Sequence, residues 1–229
     1  MSKPPLPLLG PSAKQQLVIT AERLFALHGV EGVALRQIGT EAGMGNKSAV
    51  QYHFGSKDGL LQAILANRLD HLTRRRALLE ARMQPDDLRS VVEAHQLPLM
   101  ELAEDDTCFY LPFLEQLLRH SVREHPLDGL PTAHRQSHDA YVQRVGALID
   151  GVPLRLRDTR IYQGSAMCLH ACADRHRELM IGSSTLSYAE HVSQLLDGIV
   201  AFLAAAPSAE TLAAVKGSTA APPTLRALP

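Results

Sequence analysis

Five polar residues that can bind nucleic acid lie close together in the first quarter of the chain. Lys47 and Ser48 stand at the start of a predicted helix, where free backbone N–H groups and the helix dipole favour a phosphate. One turn further on, the side-chain amide of Gln51 can make two hydrogen bonds to adenine. Tyr52 and His53 add a hydroxyl and an imidazole, which can donate to the backbone oxygens of DNA. These residue types at this spacing predict contacts with both the phosphates and the base edges of a duplex.

Two short helices joined by a tight turn must position these side chains. Residues 35–42 place apolar side chains on one face at helical spacing, and Gly43 supplies the residue best suited to a left-handed helix end. Asn46 is a good N-cap for a second helix over residues 47–54. The turn over residues 43–45 sets two helices at a steep angle. The segment is therefore predicted to be a helix–turn–helix, whose second helix can enter the major groove.

Longer helices are predicted on both sides of this motif. One helix covers residues 12–28 and ends at Gly29, and another covers residues 56–82 and begins at the capping residue Ser56. Lys57 stands in the first turn of the second of these helices, where a cation is mildly unfavourable for helix stability. We therefore interpret Lys57 as a phosphate ligand.

The same segment resembles the N-terminal domain of the tetracycline-repressor (TetR) family of bacterial transcription regulators, over roughly the first third of the chain. Tyr52-His53-Phe54, followed by Lys57, is the most specific part of the resemblance. The residues that carry it are Gly29, Leu35, Ile38, Ala42, Gly43, Lys47, Tyr52, His53, Phe54, Lys57 and Leu60. Matched position by position, the resemblance implies DNA contacts from Lys47, Ser48, Ala49, Gln51, Tyr52, His53 and Lys57.

Two features depart from the family pattern. Members usually begin the second helix with a hydroxyl residue that contacts phosphate, whereas this chain has Val33 and Ala34. We expect Arg36 to compensate, and Gln37 beside it completes the predicted DNA-binding set. Gly39 replaces the usual alanine, at a cost of about 1 kcal/mol of helix propensity.

The distribution of charge along the chain supports a DNA-binding segment. The 229 residues carry 23 Lys and Arg against 24 Asp and Glu, a net charge of −1. Residues 1–80 hold ten of the cations and six of the acids, so that +4 lies in this segment and −5 in the remainder. Attraction to phosphates requires positive charge on the segment that reads DNA.

Composition predicts an all-α, cytoplasmic protein without disulfides. Apolar residues make up 45% of the chain and aromatic residues 4%, and tryptophan is absent, which suits a helical core. Three cysteines without an export signal indicate a reducing cytosol. No apolar run approaches the length of a membrane span.

Pro85 marks a domain border after the long helix. We predict a disordered proline-rich arm (1–11), a three-helix helix–turn–helix DNA-binding domain (12–55), a connecting helix (56–84), a larger helical effector-binding and dimerisation domain (85–206) and a disordered tail (207–229). Within the larger domain, helices are predicted over residues 86–103, 112–121, 132–149, 161–181 and 187–206.

The last two predicted helices are candidates for a homodimer interface. Residues 187–206 carry an apolar stripe wider than one core contact needs, and residues 161–181 include small residues that permit close helix approach. The resemblance implies a four-helix interface with two helices from each subunit, and an ordinary buried helix pair is the alternative. The candidate interface residues are Leu169, Ala173, Met180, Val192, Leu195, Leu196, Ile199, Val200 and Leu203.

A pocket for a small-molecule effector is expected in the larger domain. Its candidate walls, chosen on apolar character alone, are Met100, Phe109, Tyr110, Phe113, Leu117, Tyr141, Met167 and His170. Apolar residues of helices are also ordinary core residues, and that is the alternative interpretation of the set.

Histidine and cysteine recur at helical spacing without a recognised metal motif. His134 and His138 stand four residues apart, as do Cys168, Cys172 and His176, a spacing that places ligands on one helix face. Neither group has a CxxC spacing or the acidic partner of a metalloprotease. Helix packing or a polar pocket wall is the favoured interpretation, and no metal or other cofactor is expected.

These features predict a homodimeric, sequence-specific DNA-binding regulator. In its simplest form it is a repressor that leaves a palindromic operator when a small effector binds. An enzyme is not expected, because no nucleophile motif, glycine-rich phosphate loop or pair of catalytic carboxylates occurs in the sequence. Two alternatives stay open: a general nucleoid-type DNA binder, and a helical enzyme with an appended DNA-binding head.

Overall fold

The structure, a computed structural model, describes residues 12–46, 48–120 and 132–217. All regular secondary structure in those ranges is α-helical, which confirms the predicted all-α class. The helices are α1 (Ala13–His28), α2 (Leu35–Glu41), α3 (Ala49–Phe54), α4 (Lys57–Glu80), α5 (Leu88–Leu102), α6 (Tyr110–His120), α7 (Thr132–Leu148), α8 (Leu154–Met180), α9 (Tyr188–Ala204) and α10 (Ala209–Gly217). The predicted arm over residues 1–11, the tail from residue 218 onward and the predicted DNA contact Lys47 lie outside the described residues.

Local hydrogen bonds set the ends of α1 and the start of α4 as the sequence predicts. The Ser12 hydroxyl accepts the N–H of Gln15 at 3.2 Å, and the Ser56 hydroxyl accepts the N–H of Gly59 at 3.0 Å. Gly29 ends α1 with a φ of 74°, in the left-handed region that glycine adopts without strain. The chain is thereby directed from α1 toward α2, and from α3 into α4.

Apolar side chains of α1 and α4 belong to one core that continues into the larger domain. Leu17 of α1 and Leu60 and Leu72 of α4 are fully buried, and burial of each such side chain stabilises the fold by roughly 1.5–3 kcal/mol. The ring of Phe25 on α1 stacks on that of Phe113 on α6, with 6.2 Å between their centroids. The first helix is therefore packed against the larger domain.

A buried ion pair joins α1 to α4. Glu22 on α1 is 1% exposed and accepts hydrogen bonds from two nitrogens of Arg68 on α4, at 3.0 and 3.1 Å. The two parallel bonds compensate the carboxylate for its loss of water. The pair fixes the position of α4 relative to the first helix.

α5 is the central helix of the larger domain and packs against α4, α7, α8 and α9. Pro98 lies inside α5 and has no N–H, so the carbonyl of Ala94 lacks its usual helical partner. α8 and α9 approach closely at Gly164, where a Cβ atom would lie 3.4 Å from the side chain of Leu203. These packed helices form the body that positions α4.

α8 begins at Leu154, earlier than the predicted start at residue 161. Its first two turns are rich in charged residues and carry no continuous apolar stripe. Arg157 stabilises this part of the chain by donating to the carbonyls of Gly146, Asp150 and Val152 at 2.7, 2.9 and 2.8 Å. Side-chain hydrogen bonds of this kind do not show in a hydrophobic pattern.

α10 corrects the predicted disordered tail over residues 209–217. The Ser208 hydroxyl caps this helix by accepting the N–H of Thr211 at 3.2 Å, and no residue of α10 is buried. The prediction rested on the abundance of Ala, Ser, Thr and Pro, but alanine is also the strongest helix former. Among the described residues, no single helix has the length and apolarity to cross a membrane, and α9 with α10 meets that criterion only as a pair bent by 53°.

Candidate nucleic-acid interface

α2 and α3 form the predicted helix–turn–helix. Gly43 has a φ of 71°, which turns the chain after α2. The side chain of Asn46 then accepts the N–H of Ser48 at 2.9 Å. This bond forms a local turn in place of a helical cap, and α3 begins at Ala49 instead of the predicted residue 47.

α3 presents a polar side to solvent and an apolar side to the core. Gln51 and Ser48 are exposed, and Tyr52 is 82% exposed, whereas Val50 is 1% exposed. Ala49 is 7% exposed, because its methyl group belongs to the hydrophobic core. The side chain of Ala49 therefore faces inward, away from the polar side of α3, and its predicted DNA contact stays a prediction.

Local contacts set the orientation of the side chains on the polar side of α3. The Gln51 amide nitrogen donates to the carbonyl of Gly55, so a contact between Gln51 and a base must replace this bond. The rings of Tyr52 and His53 meet edge to face, with 5.1 Å between their centroids. His53 is half-buried in this arrangement, and Tyr52 is directed outward.

α2 adds a second exposed polar edge. Arg36 and Gln37 are both exposed near its start. Ala34 precedes the helix and makes no side-chain hydrogen bond to it, as its residue type predicts. The Arg36 guanidinium is therefore the group at this end of α2 that can pair with a phosphate.

Two lysines lie over aromatic rings close to α3. The Lys57 ammonium lies 5.8 Å from the centre of the Phe25 ring, and the Lys14 ammonium lies 5.7 Å from the centre of the Phe54 ring. A ring face attracts a cation without neutralising its charge. Lys14 is absent from the predicted DNA-binding set, because its place beside Phe54 depends on tertiary packing and not on spacing in the sequence.

The eight predicted pocket residues divide between the core and the surface. The buried ones are Met100, Tyr110, Phe113, Leu117 and Tyr141, and Phe109 is half-buried. Met167 is 40% exposed, and His170 is exposed beside Glu115, with 2.5 Å between Nδ1 and the carboxylate. The last two therefore lie on the outer surface of α8, which corrects their predicted place in a pocket wall.

Five of the nine predicted interface residues are already buried inside one chain, namely Leu169, Ala173, Leu196, Ile199 and Leu203. They contribute to the core where α8 and α9 pack together and against α5, so the prediction that these five face a partner is corrected. Val192, Leu195 and Val200 are half-buried, and Met180 is 46% exposed. The apolar stripe of α9 is wide because one part of it serves the core of its own chain.

In the described part of the chain, no group of three or more histidine, cysteine or acidic residues is arranged to hold a metal ion. Cys168 and Cys172 are buried with 3.9 Å between their sulfur atoms, and the ring of His176 packs edge-on against the Phe109 ring. These contacts are those of ordinary helix packing. The side chain of His134 lies outside the described residues.

The fold and the exposed helix define a helical protein with an N-terminal helix–turn–helix and a larger helical domain. Residues 17–64 match the family model of bacterial regulatory proteins of the tetR family. The match lies within the N-terminal third of the chain and confirms the resemblance seen in the sequence.

Solved structures share the fold of the whole chain. AmtR from Mycobacterium smegmatis has a TM-score of 0.59 and 18% identity, over 96% of this chain and 100% of that one. A transcriptional regulator from Rhodococcus sp. Rha1 has a TM-score of 0.53 and 17% identity, over 86% of this chain and 100% of that one. No curated protein sequence matches the chain.

Proposed function

We propose that the protein is a sequence-specific DNA-binding transcription regulator, acting in its simplest form as a cytoplasmic repressor. The observation that carries the proposal is the polar side of α3, where Gln51 and Tyr52 stand clear of the core while Val50 anchors the helix. Arg36 on α2 and Lys57 on α4 supply cations from the helices before and after α3, and phosphates flank the major groove.

The protein is proposed to bind a palindromic operator as a homodimer. α3 has six residues, so one copy reaches few base pairs and a second copy is needed for specificity. Two such helices on one DNA face must lie about 34–36 Å apart. We assign the interface to the outer faces of α8 and α9, where the exposed small residues Gly198, Ala201 and Ala204 permit close helix approach.

Release from the operator is proposed to follow binding of a small effector in the larger domain. The effector favours a separation of the two α3 helices that does not match the operator. A tenfold loss of affinity requires that the effector prefer the non-binding form by about 1.4 kcal/mol.

Selection of duplexes from a random pool by the full-length protein tests this function. We expect a palindromic sequence whose half-sites are separated by about one helical turn or a multiple of it. A labelled copy of this sequence should stay bound in the presence of excess random duplex. Recovery of unrelated sequences that random competitor displaces would instead indicate a general nucleoid-type binder.

A further inference from the structure

Arg76, on the inner face of α4, is a buried cation that makes no ion pair with any acidic residue in the described part of the chain. It is 1% exposed, and its Nε donates to the carbonyl of His95 on α5 at 3.0 Å. Among the described residues its Nη2 has no hydrogen-bond partner, and the nearby Glu80 accepts a bond from Ser137 instead, at 3.2 Å. A guanidinium removed from water is costly unless it is paired, so this arrangement indicates a function beyond packing.

Neutral polar groups from four further helices lie in the same buried region as this guanidinium. The hydroxyl of Tyr110 on α6 and the amide oxygen of Gln96 on α5 are buried without partners among the described residues. The Gln96 amide nitrogen donates to the hydroxyl of Ser165 on α8 at 3.1 Å. The ring of Tyr141 on α7 stacks on His95, with 4.0 Å between their centroids. We call Arg76, His95, Gln96, Tyr110, Tyr141 and Ser165 the Arg76 cluster.

The Arg76 cluster carries one positive charge. Burial lowers the pKa of Arg76 to about 10, so the guanidinium stays charged at neutral pH. Burial raises the pKa of Tyr110, and raises that of Tyr141 to about 12, so both hydroxyls stay neutral and can donate. Burial and the adjacent Arg76 cation hold the pKa of His95 well below its usual value, which leaves its ring neutral.

We propose that the Arg76 cluster binds the carboxylate of a small monocarboxylic acid. One buried cation beside neutral donors matches a single negative charge with two acceptor oxygens. A dianionic phosphate would bring one charge more than the cluster compensates. The rings of Tyr110 and Phe113, 6.2 Å apart, provide an apolar wall for the hydrocarbon part of the acid. This inference rests on the proposed function, because it names the chemical class of the effector.

Binding at the Arg76 cluster is proposed to displace α4, the helix that carries Arg76. Arg76, Tyr110 and Phe113 are each at most 1% exposed, so an acid reaches the guanidinium only when the surrounding helices separate. α4 is continuous from Lys57 to Glu80, and its first residue lies about 28 Å along the helix axis from Arg76, close to α3. Movement at one end of α4 is therefore transmitted to the DNA-binding end.

Thermal unfolding of the full-length protein with paired probes tests the site. The probes are benzoate and hexanoate, each compared with its uncharged amide, benzamide or hexanamide. At about 10 mM, an acid with a Kd of about 1 mM should raise the unfolding midpoint by about 3–6 °C. We expect this response from at least one acid and from neither amide. No response to either acid, or an equal response to its amide, overturns the proposal.

Substitution of Arg76 distinguishes an anion site from a structural arginine. Arg76→Met should abolish the response to the acid, while the free protein unfolds at the same or a higher temperature because no buried charge is left unpaired. Tyr110→Phe should weaken the response with little change in the unfolding midpoint. Arg74→Met, on the exposed face of the same helix, is the matched control and should keep the full response. A clearly lower midpoint for Arg76→Met, or an unchanged response to the acid, shows that Arg76 is structural.

DNA binding is measured separately, so that the two proposals fail in different ways. If the protein selects an operator but no acid stabilises it, only the assignment of the effector class fails. If an acid stabilises the protein through Arg76 but no sequence is selected, the proposed function fails and the anion site stands. If both hold, the same acid should weaken operator binding by the wild-type protein and not by Arg76→Met.

Discussion

Gln51 is the exposed side chain of α3 best suited to base recognition. Gln51→Ala should remove about 1–3 kcal/mol of discrimination between the preferred base and its alternatives, because a two-bond contact between an amide and adenine supplies that amount. Anisotropy titrations with the selected operator and single-base variants measure the change. Gln163→Ala, an exposed glutamine on α8, is the control. Undiminished discrimination in Gln51→Ala would contradict the assigned role.

Because Lys57 is proposed to bind a phosphate, it should contribute equally to the affinity for every DNA sequence. Lys57→Ala should weaken binding to the operator and to random duplex by a similar factor. The slope of log K against log salt should fall by about one unit, because one phosphate contact is lost. Lys216→Ala, on the exposed surface of α10, should leave the slope unchanged. A loss confined to the operator would assign Lys57 to base recognition instead.

At the scale of single residues, the sequence predicts which side chains can bind DNA better than it predicts which way each side chain points. Gln51 and Tyr52 are exposed as their predicted roles require, since the apolar residues of a short helix leave only one side for polar groups. Ala49 is on the buried side, because its small side chain fits either environment. Lys14 could not be found from the sequence, since only the packed ring of Phe54 brings it close to α3.

Replacing each of two glycines in the N-terminal helices by alanine should change the stability of the protein in opposite directions. A Cβ at Gly39 would meet no atom within 4 Å, so Gly39→Ala should stabilise the protein by about 1 kcal/mol through helix propensity. A Cβ at Gly59 would lie 2.1 Å from the carbonyl oxygen of Phe54, so Gly59→Ala must move α4 away from α3. Urea unfolding measures both changes, and Gly59→Ala should also weaken operator binding. Equal stability of the two variants would show that the junction between α3 and α4 tolerates a methyl group.

The buried ion pair between Glu22 and Arg68 should stabilise the packing of α1 against α4. Glu22→Gln leaves a charge without its buried partner and should lower the free energy of unfolding by about 2–3 kcal/mol, less than for a fully buried pair because Arg68 keeps some contact with water. Arg23→Met is the control, since it removes the exposed pair with Glu41, which contributes about 0–1 kcal/mol. Urea titration compares the two variants. Similar small losses would show that the buried pair adds nothing beyond a surface contact.

Helix positions follow from the sequence wherever capping residues and apolar spacing agree. Ser12 and Ser56 cap the predicted helices, and Gly29 ends the first one, because these residues act through bonds within a few positions of the chain. The early start of α8 depends on Arg157 reaching carbonyls in a different segment, which no local pattern reveals. The delayed start of α3 depends on the side-chain bond of Asn46, a second role for a residue that also serves as a helix cap.

At the scale of the whole molecule, the proposed homodimer can be tested by placing a large side chain on the exposed face of α9. Ala201 is exposed on α9, and Ala201→Arg should prevent close helix approach and convert the dimer to a monomer. Sedimentation velocity measures the change, and operator affinity should fall in parallel because only one α3 is then offered to the DNA. Ala77→Arg, an exposed alanine on α4, is the matched control. A wild-type monomer, or a dimer that Ala201→Arg leaves intact, would place the interface elsewhere or exclude it.

The overall architecture is more predictable than the interior of the larger domain. The all-α class and the helix–turn–helix can be predicted from the helical spacing of apolar residues and from the run Tyr52-His53-Phe54. The Arg76 cluster is not evident in the sequence, where Arg76 reads as part of an exposed basic run with Arg74 and Arg75. Its burial results from the way α5 and α7 pack against α4, and long-range contacts of this kind have no local signature.

The stacked rings of Phe25 and Phe113 bear on how this protein can be engineered. A chimaera that grafts residues 1–55 onto an unrelated body would uncover Phe25 and leave Glu22 without Arg68. A functional transplant must therefore carry the matching surfaces of α4 and α6 with it. The contacts of α1 with α4 and α6, and not the predicted domain border after residue 55, set the smallest segment that can be exchanged.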